Sequence, residues 1–114
     1  MKKLFVLSIV LFACTIISAQ DKKVVETTFK VFGNCGMCKN RIENAVKIKE
    51  VKFAKWDKNS KMLKIAFLSP DITVDSLQKR IAAVGHDTEK FKAPDSVYAN
   101  LPGCCLYRDG SKTH

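Results

Sequence analysis

Two hydrophobic periodicities alternate along the chain. In residues 24–32, VVETTFKVF, β-branched and aromatic side chains alternate in part with polar ones, as in a strand. From Cys38 onward, Ile42, Ala45, Val46 and Lys49 recur at helical spacing, with Lys39, Asn40, Glu43 and Asn44 elsewhere on the wheel, which predicts a helix over 38–48. Residues 51–57 and 61–68 return to strand character. Ala54 and Trp56 share one face of the first, Leu63, Ile65 and Phe67 one face of the second, and Lys58-Asn59-Ser60 between them predicts a hairpin. After the break at Ser69-Pro70-Asp71, Thr73 caps a second helix. Its stripe is Val74, Leu77, Ile81 and Val84, with Asp75 in the first turn and Gly85 just past the end. Residues 88–92 read as a short last strand ended by Pro94.

This order, β-α-β-β-α-β, is a split βαβ unit. It predicts an α+β sandwich in which a four-stranded antiparallel sheet carries two helices on one face, with Trp56 and Phe67 in the core. Residues 20–93 make up that domain. Residues 94–114 form a cysteine-containing tail whose Tyr98, Leu101, Leu106 and Tyr107 need burial but show no clear period; a helical turn over 95–100 would pack it back onto the domain.

The start of the chain has a different character. Lys2 and Lys3 precede an apolar run over 4–17, interrupted by Ser8, Cys14 and Thr15 and followed by Ser18-Ala19-Gln20. A charged segment, a hydrophobic segment and a small residue at the cut make residues 1–19 an expected signal peptide, and the protein an expected exported, periplasmic one. At about 14 residues the run is shorter than the roughly 20 needed to span a bilayer. Leu11-Phe12-Ala13-Cys14 loosely resembles a lipoprotein box, so lipidation at Cys14 is the lesser alternative. Beyond the leader, 18 basic residues stand against 11 acidic ones, a formal +7. The lysines are dispersed, without the Arg-rich or aromatic-interleaved stretches of nucleic-acid sites, so the charge reads as a solvated surface and nucleic acid is excluded as partner.

Four cysteines follow the leader: Cys35, Cys38, Cys104 and Cys105. In FGNCGMC the first sits in a Gly-rich loop after a strand and the second opens a helix. Unpaired N–H groups and the positive dipole end there favour thiolate over thiol. Thiolates three residues apart bind a soft ion, and Cu(I) needs no more than two where zinc wants four ligands. A redox pair, a local disulfide and inert thiols are the alternatives at this point. Cys104 and Cys105 are further soft ligands, disulfide partners of the loop, or inert. Met37 reads as packing in preference to an auxiliary thioether. Lys39 and Arg41 either offset a thiolate site's charge, dock an acidic partner, or are merely solvated. There is no nucleophile with a base, no paired-carboxylate constellation and no phosphate loop, so an enzyme is not expected.

The run Cys35-Gly36-Met37-Cys38-Lys39-Asn40-Arg41-Ile42-Glu43-Asn44-Ala45-Val46, with Asp57 and ITVDSLQKRIAAVGHD, resembles the heavy-metal-associated domain family over about residues 24–92. That family includes copper chaperones, domains of copper-pumping ATPases and mercuric-ion-binding proteins. The resemblance implies a ferredoxin-like fold and metal ligation by Cys35 and Cys38. It also implies Cu(I) as cargo with Zn(II) or Hg(II) as alternatives, transfer to a metal-transporting membrane protein or other acceptor, and a metal-bridged homodimer as one available state. Two departures stand out. The family's Gly-Met-Thr before the first cysteine is here Gly33-Asn34, without the methionine that packs beneath the loop, and the tyrosine common after the helix-two glycine is His86. An imidazole beside the metal loop serves as third ligand or thiolate hydrogen-bond partner, or simply packs against helix carbonyls; His114 has no such argument. The rivals are a thiol oxidoreductase on the same cysteines, for which Pro70 is the sole cis-proline candidate, and a disulfide-stabilised interaction module.

Overall fold

The computed structural model describes residues 22–109; the expected leader with Cys14, and His114, lie outside them. Among the described residues no helix is long and apolar enough to cross a membrane. Strands β1 (Lys23–Lys30), β2 (Val51–Trp56) and β3 (Met62–Ser69) form one antiparallel sheet in the order β1-β3-β2. Helices α1 (Gly36–Ala45) and α2 (Val74–Ala83) complete the sandwich, and α3 (Asp95–Ala99) begins the tail. In β3 the alternation works as expected: Leu63, Ile65 and Phe67 are buried, joined by Phe29 of β1 and Trp56 of β2. Against them pack Cys38, Ile42 and Val46 from the first helix and its end, and Leu77 and Ile81 from α2.

Local chemistry ends the elements where the sequence implies. Thr73 accepts from the Ser76 amide while the Ser76 hydroxyl reaches back to Thr73, a reciprocal cap that starts α2. At the other end the Gly85 amide donates to Ala82 and the His86 amide to Ile81, a Schellman closure. It needs Gly85 at φ 112°, a conformation costly for any residue with a Cβ.

The sheet has three strands where four were expected. The fourth is reduced to a single antiparallel bridge, Val31 to Thr88, flanked by bonds from the Phe32 amide to Asp87 and the Glu89 amide to Lys30. Side chains divert the backbone that would extend it. The Lys90 amide goes to Gln78 Oε1, the Phe91 amide to Thr88 Oγ1, and the Ala93 amide to Asp87 Oδ1. With these donors spent on side chains, the segment does not extend the sheet.

Glu43 also does more than face solvent. Its carboxylate accepts from the Trp56 amide, 2.9 Å away, and pairs with Lys39, so α1 is tied to the end of β2. That end of the sheet carries the cysteine loop. Pro70 follows β3 at the far end, because Ser69 pairs with Lys23 whereas the loop follows Lys30, paired with Met62. The proline that the oxidoreductase reading relied on, Pro70, therefore lies away from its cysteines.

Candidate metal centre

Cys35 is the N-cap of α1 and Cys38 lies in its first turn, so the helix begins earlier than its apolar stripe implied. Gly33 contributes closeness here, with no positive φ. A Cβ on it would lie 3.0 Å from the Cys38 Cβ and 3.1 Å from the Trp56 ring. Trp56 thus occupies the space beneath the loop, held by an indole N–H bond of 2.9 Å to the Val31 carbonyl.

The tail brings the other two cysteines to the same point. Leu101 packs against Gly85, and the chain then turns through Gly103–Cys105. Arg108 anchors it by a fork on Asp87, at 2.7 and 3.0 Å, with further bonds to Asp95 and the Ala93 carbonyl. Tyr107 donates to the Gly85 carbonyl and accepts from the Asp87 amide, both at 2.7 Å, while its ring stacks on His86.

All four thiols are free. The Cys35 sulfur is 3.1 Å from that of Cys104 and 3.6 Å from those of Cys38 and Cys105, and Cys104 is 3.9 Å from Cys105. Cys35, Cys38 and Cys105 form a group whose sulfurs all lie within 4.8 Å of one another. Metal–sulfur bonds of about 2.3 Å put sulfurs about 3.8 Å apart in a tetrahedral site and about 4.6 Å apart in a linear one. The spacings match a site of three or four sulfurs better than a two-sulfur clamp.

Burial pushes the Cys35 thiol up, but hydrogen bonds from Cys104, the Cys38 amide, and the Cys38 and Cys105 thiols outweigh it and bring its pKa down to about 7. Thiolate is thus accessible at Cys35 near neutral pH. Burial pushes Cys105 the other way, aided by its neighbours Cys38 and Cys35, so an ion must displace its proton. Arg41 lies 3.3 Å from the Cys105 sulfur and supplies positive charge where that thiolate would form. Cys104 sits half-buried at the rim, its pKa raised chiefly by the bond to Cys35.

His86 stands outside the sulfur triad. It is fully buried, its Nδ1 donating to the Phe32 carbonyl at 2.7 Å, which leaves Nε2 the bare nitrogen, without a partner. Burial, with Arg41 nearby, lowers its pKa from the usual 6.5 to about 4 against the opposing pull of the Phe32 bond and Asp87. Between those values the unfolded chain binds a proton that the folded one refuses. Stability present above pH 6.5 is lost as pH falls to about 4, on the order of 3 kcal/mol. Asp87, lowered by Arg108, loses stability in the same direction at the acid end. Thermal melts at pH 7 and pH 4.5 should therefore differ sharply, and His86→Asn, which keeps a donor toward Phe32, should shrink the difference.

Solved structures with this fold include the CopZ metallochaperone, with a TM-score of 0.53 at 23% identity, covering 56% of this chain and 98% of that one. The NMR solution structure of the ZiaAN sub mutant gives a TM-score of 0.51 at 24% identity, covering 63% and 100%. The chain shares the fold of these two proteins. No protein family's sequence model matches it, and no curated protein does. Nearly all of each neighbour is matched against little more than half of this chain, so the protein carries substantial sequence beyond the shared fold.

What the sequence left open here was the destination of the tail. It also missed the Tyr107 and Arg108 anchors. The aromatic and basic character of residues 106–108 was the available signal, without a period to place it. Arg108→Ala should free the tail and lower soft-metal affinity by about 10- to 100-fold, the usual effect of losing an outer supporting contact. Limited proteolysis within residues 94–109, alongside a chelator competition, would check both.

Proposed function

We propose that the protein is an exported carrier of a soft d¹⁰ ion, with Cu(I) as its cargo, acting by binding and not by turnover. The observation that carries the reading is the triad of Cys35, Cys38 and Cys105, three sulfurs within 4.8 Å of one another on two distant segments of the chain. Thiolate sulfur selects soft ions, and a three-sulfur group with its fourth member at the rim suits Cu(I) better than zinc, which favours four closed ligands. The fold shared with a metallochaperone supports the same reading.

Ion capture begins at Cys35, the half-buried thiol whose pKa is brought down to about 7. Cys38 and Cys105 then close on the ion from the buried side, each giving up a proton, and Arg41 offsets the excess negative charge. Because Cys35 is only half-buried, a thiolate of a metal-transporting membrane protein or other acceptor can replace the inner sulfurs one at a time. The ion is never released to water.

Titration of the anaerobically reduced protein with Cu(I), Zn(II) and Hg(II) against competing chelators tests this. Cu(I) should remain bound at chelator strengths that strip Zn(II), and Cys105→Ser should weaken it. A preference for Zn(II), or affinity indifferent to Cys105→Ser, would overturn the reading.

A further inference from the structure

The sulfur cluster extends beyond the triad. Met37, expected to pack, is instead 51% exposed, and its thioether lies 3.5 Å from the Cys104 sulfur. Cys104 in turn lies 3.1 Å from Cys35. Cys35 therefore belongs to two groups of soft donors at once. The inner one, with Cys38 and Cys105, faces the core; the outer one, with Cys104 and Met37, faces solvent.

We propose that the chain holds two Cu(I) ions, an inner one on Cys35, Cys38 and Cys105 and an outer one on Cys35, Cys104 and Met37, bridged by the Cys35 thiolate. The proposal rests on the soft-metal reading above. A thiolate keeps free electron pairs after its first metal bond, so one sulfur can serve both ions. The charges agree as well. With one ion on three thiolates the site is formally −2; the second Cu(I) adds +1 while Cys104 loses its proton, so the total does not change. No electron moves: a Cu–S bond replaces the S–H bond of Cys104, the proton leaves to water, and the Met37 thioether donates without titrating. Since a thioether is a weaker donor than a thiolate and the outer group is exposed, the outer ion exchanges first. The rim is then the port through which cargo enters and leaves.

Anaerobic native mass spectrometry of the reduced protein, loaded with Cu(I) from a weak complex, counts ions per chain. Wild type should reach two, while Met37→Leu and Cys104→Ser should each stop at one. Chelator should remove the first ion from wild type at least about tenfold more readily than the second. Met37→Leu changes only an exposed rim residue outside the inner group, so its retained inner ion reports that the fold is intact. Saturation of wild type at one ion, or two ions in both variants, would refute the outer position. A single ion that disappears in Cys35→Ser leaves the carrier reading standing and removes only the second ion. No ion at all removes the carrier reading itself.

Discussion

Cys35→Ser should lower Cu(I) affinity by a factor of about 100 to 1,000, the largest binding effect of any single substitution in the chain. Structural thiolate sites bind their ions with about 10–16 kcal/mol, so one sulfur among three or four accounts for roughly 3–4 kcal/mol. Cys35 carries at least an average share because its sulfur touches those of Cys38, Cys104 and Cys105. It is also the thiol whose lowered pKa, about 7, supplies thiolate without help from the metal. Serine keeps the shape but has neither the softness nor the acidity. Competition with a Cu(I) chelator at pH 7.5 measures the loss; affinity within threefold of wild type would mean that the ion sits elsewhere.

Trp56→Ala should cost about 3–5 kcal/mol of folding stability, the range for truncating a fully buried large aromatic. That is enough to lower the melting temperature by at least about 12 °C in a domain of this size. The indole is 1% exposed and its N–H is the partner of the Val31 carbonyl. Its ring also lies against Gly33 beneath the cysteine loop, so the empty space should let Cys38 drift and weaken metal binding in the part that remains folded. Trp56→Phe should do less damage. It keeps a six-membered ring in the core but gives up both the N–H bond to Val31 and the edge of the indole that meets Gly33, with the orphaned carbonyl costing about 1–3 kcal/mol. An equal loss of melting temperature from both substitutions would show that the bulk of the ring contributes nothing beyond these two contacts.

What could be read from the sequence is what short-range periodicity encodes. The face formed by Leu63, Ile65 and Phe67, the Thr73 cap and the Gly85 stop each depend on residues a few positions apart, and each stands as expected. The fourth strand depended on where backbone amides would find partners. Gln78 and Asp87, both polar residues on other segments or at a turn, intercepted them. Met37 sits where helical spacing carries no information about a thioether meeting Cys104 from another part of the chain. Spacing alone offered Cys35 and Cys38 as a soft-ion clamp beside a redox pair, a disulfide and inert thiols, and the structure sets their sulfurs 3.6 Å apart. That Cys105 completes the group required the Arg108 fork on Asp87, a long-range contact that no local pattern announces.

The cluster joins positions 69 and 70 residues apart in the chain, Cys35 with Cys104 and with Cys105. An ion shared among them is therefore a cross-link as well as a cargo. It closes nearly the whole domain into one loop, and the entropy of that closure is taken from the unfolded state. Loading should raise the melting temperature, by an amount that grows with free ion concentration. On the carrier reading proposed above, delivery would reverse this: the protein would give up its staple along with its cargo, leaving the tail to its Arg108 anchor. Empty and filled molecules would then differ in firmness at the surface an acceptor would meet.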